Sequence, residues 1–530
     1  MSESRSVKAK NVQLYDTTLR DGAQREGLSF SVEDKLRITK RLDEFGVQYI
    51  EGGWPGANPK DNDYFARVQS LNLKQATVVA FGSTRHPKKT AAADENLRYL
   101  LDAGTEAICL VGKTWGFHVE HALKTSLENN LAMIEDSVAH LVEQGRTVFF
   151  DAEHFFDGYR HNPDYAMKAL AAAEKGGASC LVLCDTNGGA LPSEITNVVD
   201  AVVTKFKTPI GIHAHNDADC AVANSLAAIQ AGAVHVQGTI NGFGERAGNA
   251  NLCSIIPALT LRLDIPCITL DQLAMLTEVA HFVSEVANVS PNTHQPYIGE
   301  SAFAHKGGLH VSALERHNAY EHIDPELVGN VRRVLISELS GKSTVVMKAK
   351  DFGLDLTDQP EKVSEILTKI KELEHVGYSF EAADGSFEIL IRKATGTDSS
   401  FFELESFRVI MDRVPGGTVT TEVTIKVTCK GQRYVETAEG NGPVNALDKA
   451  LRMAIGKAYP ELNNITLTDY KVRVLNEKKG TGALVRVLID STDGEKVWST
   501  VGVSENIIEA SWLAMADSID YGLTHKKAGE

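Results

Sequence analysis

Two short motifs carry most of the chemical content of this 530-residue chain: the pair Arg20-Asp21 and the triplet His213-Ala214-His215. Alternate side chains of a strand share a face, so His213 and His215 present both imidazoles to one side if residues 210–215 are extended. With 17 histidines in the chain, such a triplet arises by chance in roughly half an instance per chain, so position must decide its meaning. Two imidazoles with carboxylate and amide oxygens, and without thiolate, suit Mn²⁺, Mg²⁺, Co²⁺ or a catalytic Zn²⁺. Arg20-Asp21 reads in two ways. It is either a structural ion pair, or a metal-binding carboxylate beside a permanent cation that polarises a carbonyl.

The elements that must position these groups are legible as eight β-rich runs, at residues 12–16, 49–53, 76–81, 107–112, 147–153, 180–185, 210–215 and 235–240. Amphipathic helical stretches separate them, among them Val32–Phe45 behind the N-cap Ser31, and 218–231. Eight strands alternating with helices predict a (β/α)8 TIM barrel; an open doubly wound sheet is second. Barrel chemistry sits where strands end. Six of the eight runs end in polar clusters: 16–24, Glu51, 151–154, 185–188, 213–217 and 241–249.

Two glycine patterns are decoys. Gly242, Gly244 and Gly248 miss dinucleotide spacing by one and follow the last strand, and Gly341-Lys342-Ser343 lacks the first P-loop glycine because Ile336 stands there. The net charge of −16, from 54 basic and 70 acidic residues, argues against nucleic acid or anionic membrane as partner. No apolar run reaches the roughly 18 residues of a membrane span. The opening MSESRSVKAK lacks a secretory apolar core, which predicts a cytoplasmic location. Seven scattered cysteines read as reduced thiols, with Cys180 and Cys184 as core residues.

Three regions follow: a barrel over 1–270, helical linker subdomains over 271–395, and a C-terminal αβ domain over 403–524. The last is a tandem repeat with a period of roughly sixty residues, each unit reading strand–strand–strand–helix. It looks appended for regulation or assembly.

The segment LRDGAQ (19–24) followed by Lys35, HAHND (213–217) and NGFGERAGN (241–249) together resemble the α-isopropylmalate/homocitrate synthase family, along essentially the whole chain. The resemblance implies metal-dependent acyltransferases that condense acetyl-CoA with a 2-oxo acid. It implies that Asp21, His213, His215 and Asn249 are metal ligands, that Arg20 polarises the 2-oxo group, and that Glu153 is catalytic. It also implies that Thr186 binds the substrate carboxylate, that His310 reaches the active site of a partner subunit, and that Asn318 and Tyr320 accompany it. The family commonly has glycine where this chain has Asp219, which places the local helix packing in question.

Segments 151–165 and 302–314 are most similar to members that take pyruvate, on a route to isoleucine; 2-oxoisovalerate and 2-oxoglutarate are the alternatives. Phe81, Leu110 and Val111 are candidates for the pocket that reads the substrate side chain, and the basic loop 83–89 is either a CoA contact or merely solvated. The implied partners are a homodimeric or larger assembly and an amino-acid effector of the repeat domain. A non-catalytic sensor on a retained barrel, a lyase and a carboxyltransferase are the competing classes.

Overall fold

The structure is a computed structural model that describes residues 11–305, 321–334, 342–380, 383–397, 400–413, 417, 419–475 and 482–527. His310, Asn318 and Tyr320 therefore lie outside the described residues.

Eight parallel strands close into a barrel in chain order. They are β1 (Gln13–Asp16), β2 (Tyr49–Gly53), β3 (Thr77–Ser83), β4 (Ala107–Lys113), β5 (Thr147–Glu153), β6 (Cys180–Asp185), β7 (Ile210–Ala214) and β8 (His235–Gly238). β8 closes on β1 with Gln13 opposite His235 and Asp16 opposite Gly238. The helix Val32–Phe45 forms where its sequence requires. Ser31 and Asp34 cap it reciprocally, and Gly46 ends it in the left-handed region. Its buried residues Ile38, Leu42 and Phe45 join the shell between strands and helices.

Side chains alternate along each strand, so the barrel carries two cores. The outer one holds Leu14, Ile50, Leu110, Phe150, Leu181 and Ile212. The inner one holds Tyr15, Val79, Phe81, Cys109, Phe149, Cys180, Val182 and Cys184. Leu110 thus faces the helices, and the expectation that it lines the substrate pocket with Val111 is corrected: adjacent strand residues cannot both point inward. The helix expected over 218–231 begins later, at Ala221. Asp219 has φ +55°, so the chain turns through the left-handed region before the helix starts. A glycine there would be free of the strain that Asp219 carries.

Two compact units divide the chain, one comprising residues 1–303 and 323–332 and the other comprising 304–322 and 333–530. The second contains the short parallel pair β9 (Ala304–His305) and β10 (Arg333–Val334). Its two repeats follow. β11 (Glu403–Arg413), β12 (Val419–Cys429) and β13 (Gln432–Gly440) precede the helix Pro443–Ile455, and β14 (Thr466–Val474), β15 (Val485–Thr492) and β16 (Val497–Ser504) precede the helix Ile507–Lys527. Each sheet is an antiparallel meander, and both helices bury their apolar faces in one shared core.

Among the described residues no helix is long and apolar enough to cross a membrane.

Candidate active site and metal centre

The turn after β1 is built by its own polar side chains. Thr18 donates from its backbone N–H and its hydroxyl to the buried Asp16 carboxylate, at 3.0 and 2.7 Å, while its Oγ1 accepts from the Ile240 N–H at 2.9 Å. The β1 loop is thereby tied to the β8 loop, and Arg20 and Asp21 are delivered over the barrel mouth. Lys35 supports the neighbouring stave from below, bonding Gly52 O at 2.9 Å and Asp61 Oδ1 at 2.5 Å.

Asp21, His213 and His215 converge. Asp21 Oδ2 lies 3.2 Å from His213 Nε2 and 3.7 Å from His215 Nε2. The two Nε2 atoms are 3.3 Å apart, and all three side chains are buried. Burial alone would raise the Asp21 carboxyl; Arg20 and the two imidazoles overcome it and hold the group well below the usual carboxylate range. Burial depresses both imidazoles, yet Asp21 lifts His213 above its ordinary value, while burial and the charge of His213 push His215 down to about 4.

The β8 loop brings Asn249 beside His215, with which its backbone pairs, and Asn249 lines a second cavity together with Gly242 and Asn251. Gly244 is required here, because a Cβ on it would stand 2.4 Å from Asn249 Nδ2, and Gly248 turns at φ +99°. The glycines that mimic a nucleotide motif fold this loop. Asn249 Nδ2 donates to Phe243 O at 3.3 Å, but its buried Oδ1 has no hydrogen-bond partner. A buried carbonyl oxygen left unpaired costs about 1–3 kcal/mol unless something else satisfies it. The two imidazoles and the Asp21 carboxylate offer ligand atoms that all lie within 4.8 Å of one another, a donor set that fits one divalent cation.

Arg20 forms the structural ion pair of its first reading, with Glu51 as the main partner and Asp21 as the second. Its Nε bonds Glu51 Oε1 at 2.5 Å, its NH1 lies 3.7 Å from Asp21 Oδ2, and its guanidinium sits 3.8 Å above the Phe81 ring. Burial would lower its pKa, but Glu51 and Asp21 raise it, so the cation is permanent. Glu51 is held in turn by the Tyr15 hydroxyl at 2.6 Å.

A cavity of 610 Å³ opens over this cluster, and Arg20, Asp21, Phe81, Val111, Glu153, Thr186, His213 and His215 line it. Glu153 is ion-paired with Lys113, and Thr186 Oγ1 accepts from the His154 N–H at 2.8 Å. The structure therefore gathers Arg20, Asp21, Glu153, Thr186, His213 and His215 at one mouth. Sequence reasoning missed Lys113, because β4 was expected to stop at residue 112; a strand one residue longer would have exposed it as the seventh polar stave end. In the basic loop, Arg85 is committed to Asp136 at 2.6 Å and to Lys89 O at 2.9 Å, and so serves the loop's own structure.

A closed parallel barrel whose C-terminal mouth gathers carboxylate, imidazole and guanidinium groups around one cavity defines a barrel enzyme with an oxygen- and nitrogen-donor centre. The chain matches the HMGL-like family over residues 11–283, the homocitrate synthase post-HMGL domain-like family over 297–377 and the LeuA allosteric (dimerisation) domain over 381–523. It belongs to the HMGL-like family, in the branch of (R)-citramalate and 2-isopropylmalate synthases. It is 54% identical to the (R)-citramalate synthase of Geobacter sulfurreducens, over 97% of this chain and 98% of that protein. It is 52% identical to that of Aquifex aeolicus, with the same coverage. The 2-isopropylmalate synthase of Methanocaldococcus jannaschii is 31% identical over 96% of this chain and 94% of that protein.

Proposed function

We propose that this protein condenses acetyl-CoA with pyruvate to give (R)-citramalate and CoA. The observation that carries the chemistry is the convergence of Asp21, His213 and His215 beneath Arg20, in a cavity that also presents Glu153. The choice of pyruvate is supported by near-full-length similarity to (R)-citramalate synthases.

Asp21, His213, His215 and Asn249 would hold the divalent cation, with Mn²⁺, Mg²⁺, Co²⁺ and Zn²⁺ as candidates. Bound there, it supplies a Lewis acid for the 2-oxo acid's oxygens. The chain's own groups do the rest. Arg20 draws negative charge onto the keto oxygen as the new bond forms. The Thr186 hydroxyl, whose oxygen is oriented by the His154 N–H, anchors the substrate carboxylate. Glu153 takes a proton from the acetyl methyl group. The methyl carbon then bonds to the keto carbon, and hydrolysis of the resulting thioester makes the sequence irreversible. By family resemblance His310 and Tyr320 are assigned catalytic roles, His310 sharing with Glu153 the part of candidate base, and Asn318 is assigned to substrate binding.

A distal carboxylate, as in 2-oxoglutarate, would need its own cation. Arg20, Arg85, Lys113 and Arg246 line the cavity, and each is already paired with a carboxylate. This disfavours the homocitrate reaction. A non-catalytic sensor would need a broken centre, and the gathered groups favour catalysis.

The expected division into 1–270, 271–395 and 403–524 stands as our reading of the domains, with the last one regulatory. Its repeats border an open cavity of 850 Å³ near the starts of the helices at Pro443 and Ile507, lined by Asn445, Thr466, Leu467, Tyr470 and Ile508. Backbone N–H groups with apolar walls suit an amino-acid zwitterion. We assign isoleucine as that effector, a homodimer as the assembly, the cytoplasm as the location and isoleucine synthesis as the route. The test of the central reaction is thiol release from acetyl-CoA across a panel of 2-oxo acids, with and without chelator. Release with pyruvate that chelator abolishes is expected; no release with any 2-oxo acid would overturn the assignment.

A further inference from the structure

Behind His213 lies a buried relay that the reaction scheme above does not use. Gln237, on β8, is fully buried, and its side chain bridges two staves. On one side Gln237 Oε1 is 2.8 Å from His213 Nδ1. On the other, Gln237 Nε2 donates to Asp151 Oδ1 at 3.0 Å. Asp151, on β5, is also buried and lines the cavity.

The directions of these bonds are linked. An ionised carboxylate only accepts, so the end of the amide that faces Asp151 must be the NH₂. The carbonyl end then faces His213 and also only accepts. His213 Nδ1 must therefore carry a hydrogen, so that whenever the ring gives up its second proton, as a metal ligand must, the lone pair is on Nε2. That lone pair is the one aimed at Asp21 and His215. Reversing the amide would set its NH₂ against Nδ1, shift the hydrogen to Nε2 and remove a ligand.

We propose that Gln237 is the positioning residue of this centre. Oriented by Asp151, it fixes the His213 tautomer that binds a cation through Nε2. The inference rests on the metal reading proposed above. It also gives Asp151 a task distinct from substrate contact, namely setting the polarity of the amide.

The test is Mn²⁺ affinity of the full chain, measured by titration calorimetry and independent of turnover. Gln237→Met keeps the length and removes both hydrogen bonds. It should bind Mn²⁺ about 10- to 100-fold more weakly, the usual effect of losing a partner behind a metal-bound histidine. Gln237→Glu combined with Asp151→Asn keeps an acceptor for Nδ1–H and a donor behind it, without setting two buried carboxylates together, and should retain affinity far better than Gln237→Met, a rescue that a purely structural role would not produce. A folded Gln237→Met protein with wild-type affinity would overturn the inference, as would equal losses in both variants. If Gln237→Met does not fold, Gln237→Asn, too short to span both partners, takes its place with the same expectation. A wild-type protein that binds no Mn²⁺ would instead overturn the metal reading itself.

Discussion

Arg20 and Glu51 face each other across β1 and β2 with 2.5 Å between Nε and Oε1, and both are shielded from solvent. Glu51 has no freedom to do anything else, since Tyr15 holds its other oxygen. The pair fixes the plane of a guanidinium that must meet a keto oxygen. Glu51→Gln keeps the Tyr15 contact while removing the charge that pins Arg20. A displaced catalytic group of this kind costs about 10²-fold in kcat. Steady-state kinetics should show that loss while Mn²⁺ affinity stays unchanged; loss of metal binding instead would show that Glu51 supports the centre and not Arg20.

Asp21 supplies the only carboxylate of the three-residue cluster among the described residues. Asp21→Ala should abolish stoichiometric Mn²⁺ binding and reduce turnover by about 10³-fold or more. Chelator-treated variant assayed in metal-free buffer is the check, and full activity there would end the metal reading.

Val111 points inward and lines the cavity, whereas Leu110 beside it faces the helices. Val111→Ala should therefore raise the preference for 2-oxobutanoate relative to pyruvate by about 10-fold, the lower end of what one methylene is worth in an apolar pocket. Leu110→Val should leave that ratio unchanged. The ratio of kcat/KM values for the two acids reads both.

Asp43 anchors the loop ahead of β3: its carboxylate accepts from the N–H groups of Lys74, Gln75 and Ala76 at 2.8–3.0 Å. Burial would raise its pKa, and these bonds lower it below the ordinary value. A depressed folded pKa means that the contribution is complete above the unfolded pKa of about 3.9 and fades as the pH falls through the folded one. Asp43→Asn should cost about 1–3 kcal/mol at pH 7. That deficit should shrink as the pH is lowered below about 4. Urea unfolding at both pH values checks it, and a deficit that does not change with pH would contradict the assignment.

The cavity between the repeats carries its own prediction. Isoleucine, titrated into the acetyl-CoA assay, should change activity, and Tyr470→Ala should weaken the response about 10-fold or more without changing the rate in its absence. No response to isoleucine or leucine would leave the repeat domain with an assembly role alone.

Much of this was legible in the sequence because barrel strands are short, apolar and regularly spaced. All eight are visible in the chain, and the polar residues at 16–24, 213–217 and 241–249 point to one mouth. What escaped was direction and partnership. The single sequence does not show that Leu110 turns outward while Val111 turns inward, since both are apolar. It does not show that Lys113 belongs to β4, or that Gln237 and Asp151, 86 residues apart, share a hydrogen bond. Asp219 shows the reverse: its departure from glycine was visible at once, but the reason, a left-handed turn, required the backbone.

At the opposite end of the barrel from the mouth, His235 is packed among the rings of Tyr15, Tyr49 and Phe149, with neither ring nitrogen bonded. Burial and the charge of His213 push it down to about 3, so it is neutral and cannot ferry protons at working pH. The reaction vessel is therefore a blind well. Among the described residues the floor around His235 offers a proton no relay, so proton exchange falls to the cavity at the mouth, where Asp21, Glu153, His213 and His215 stand.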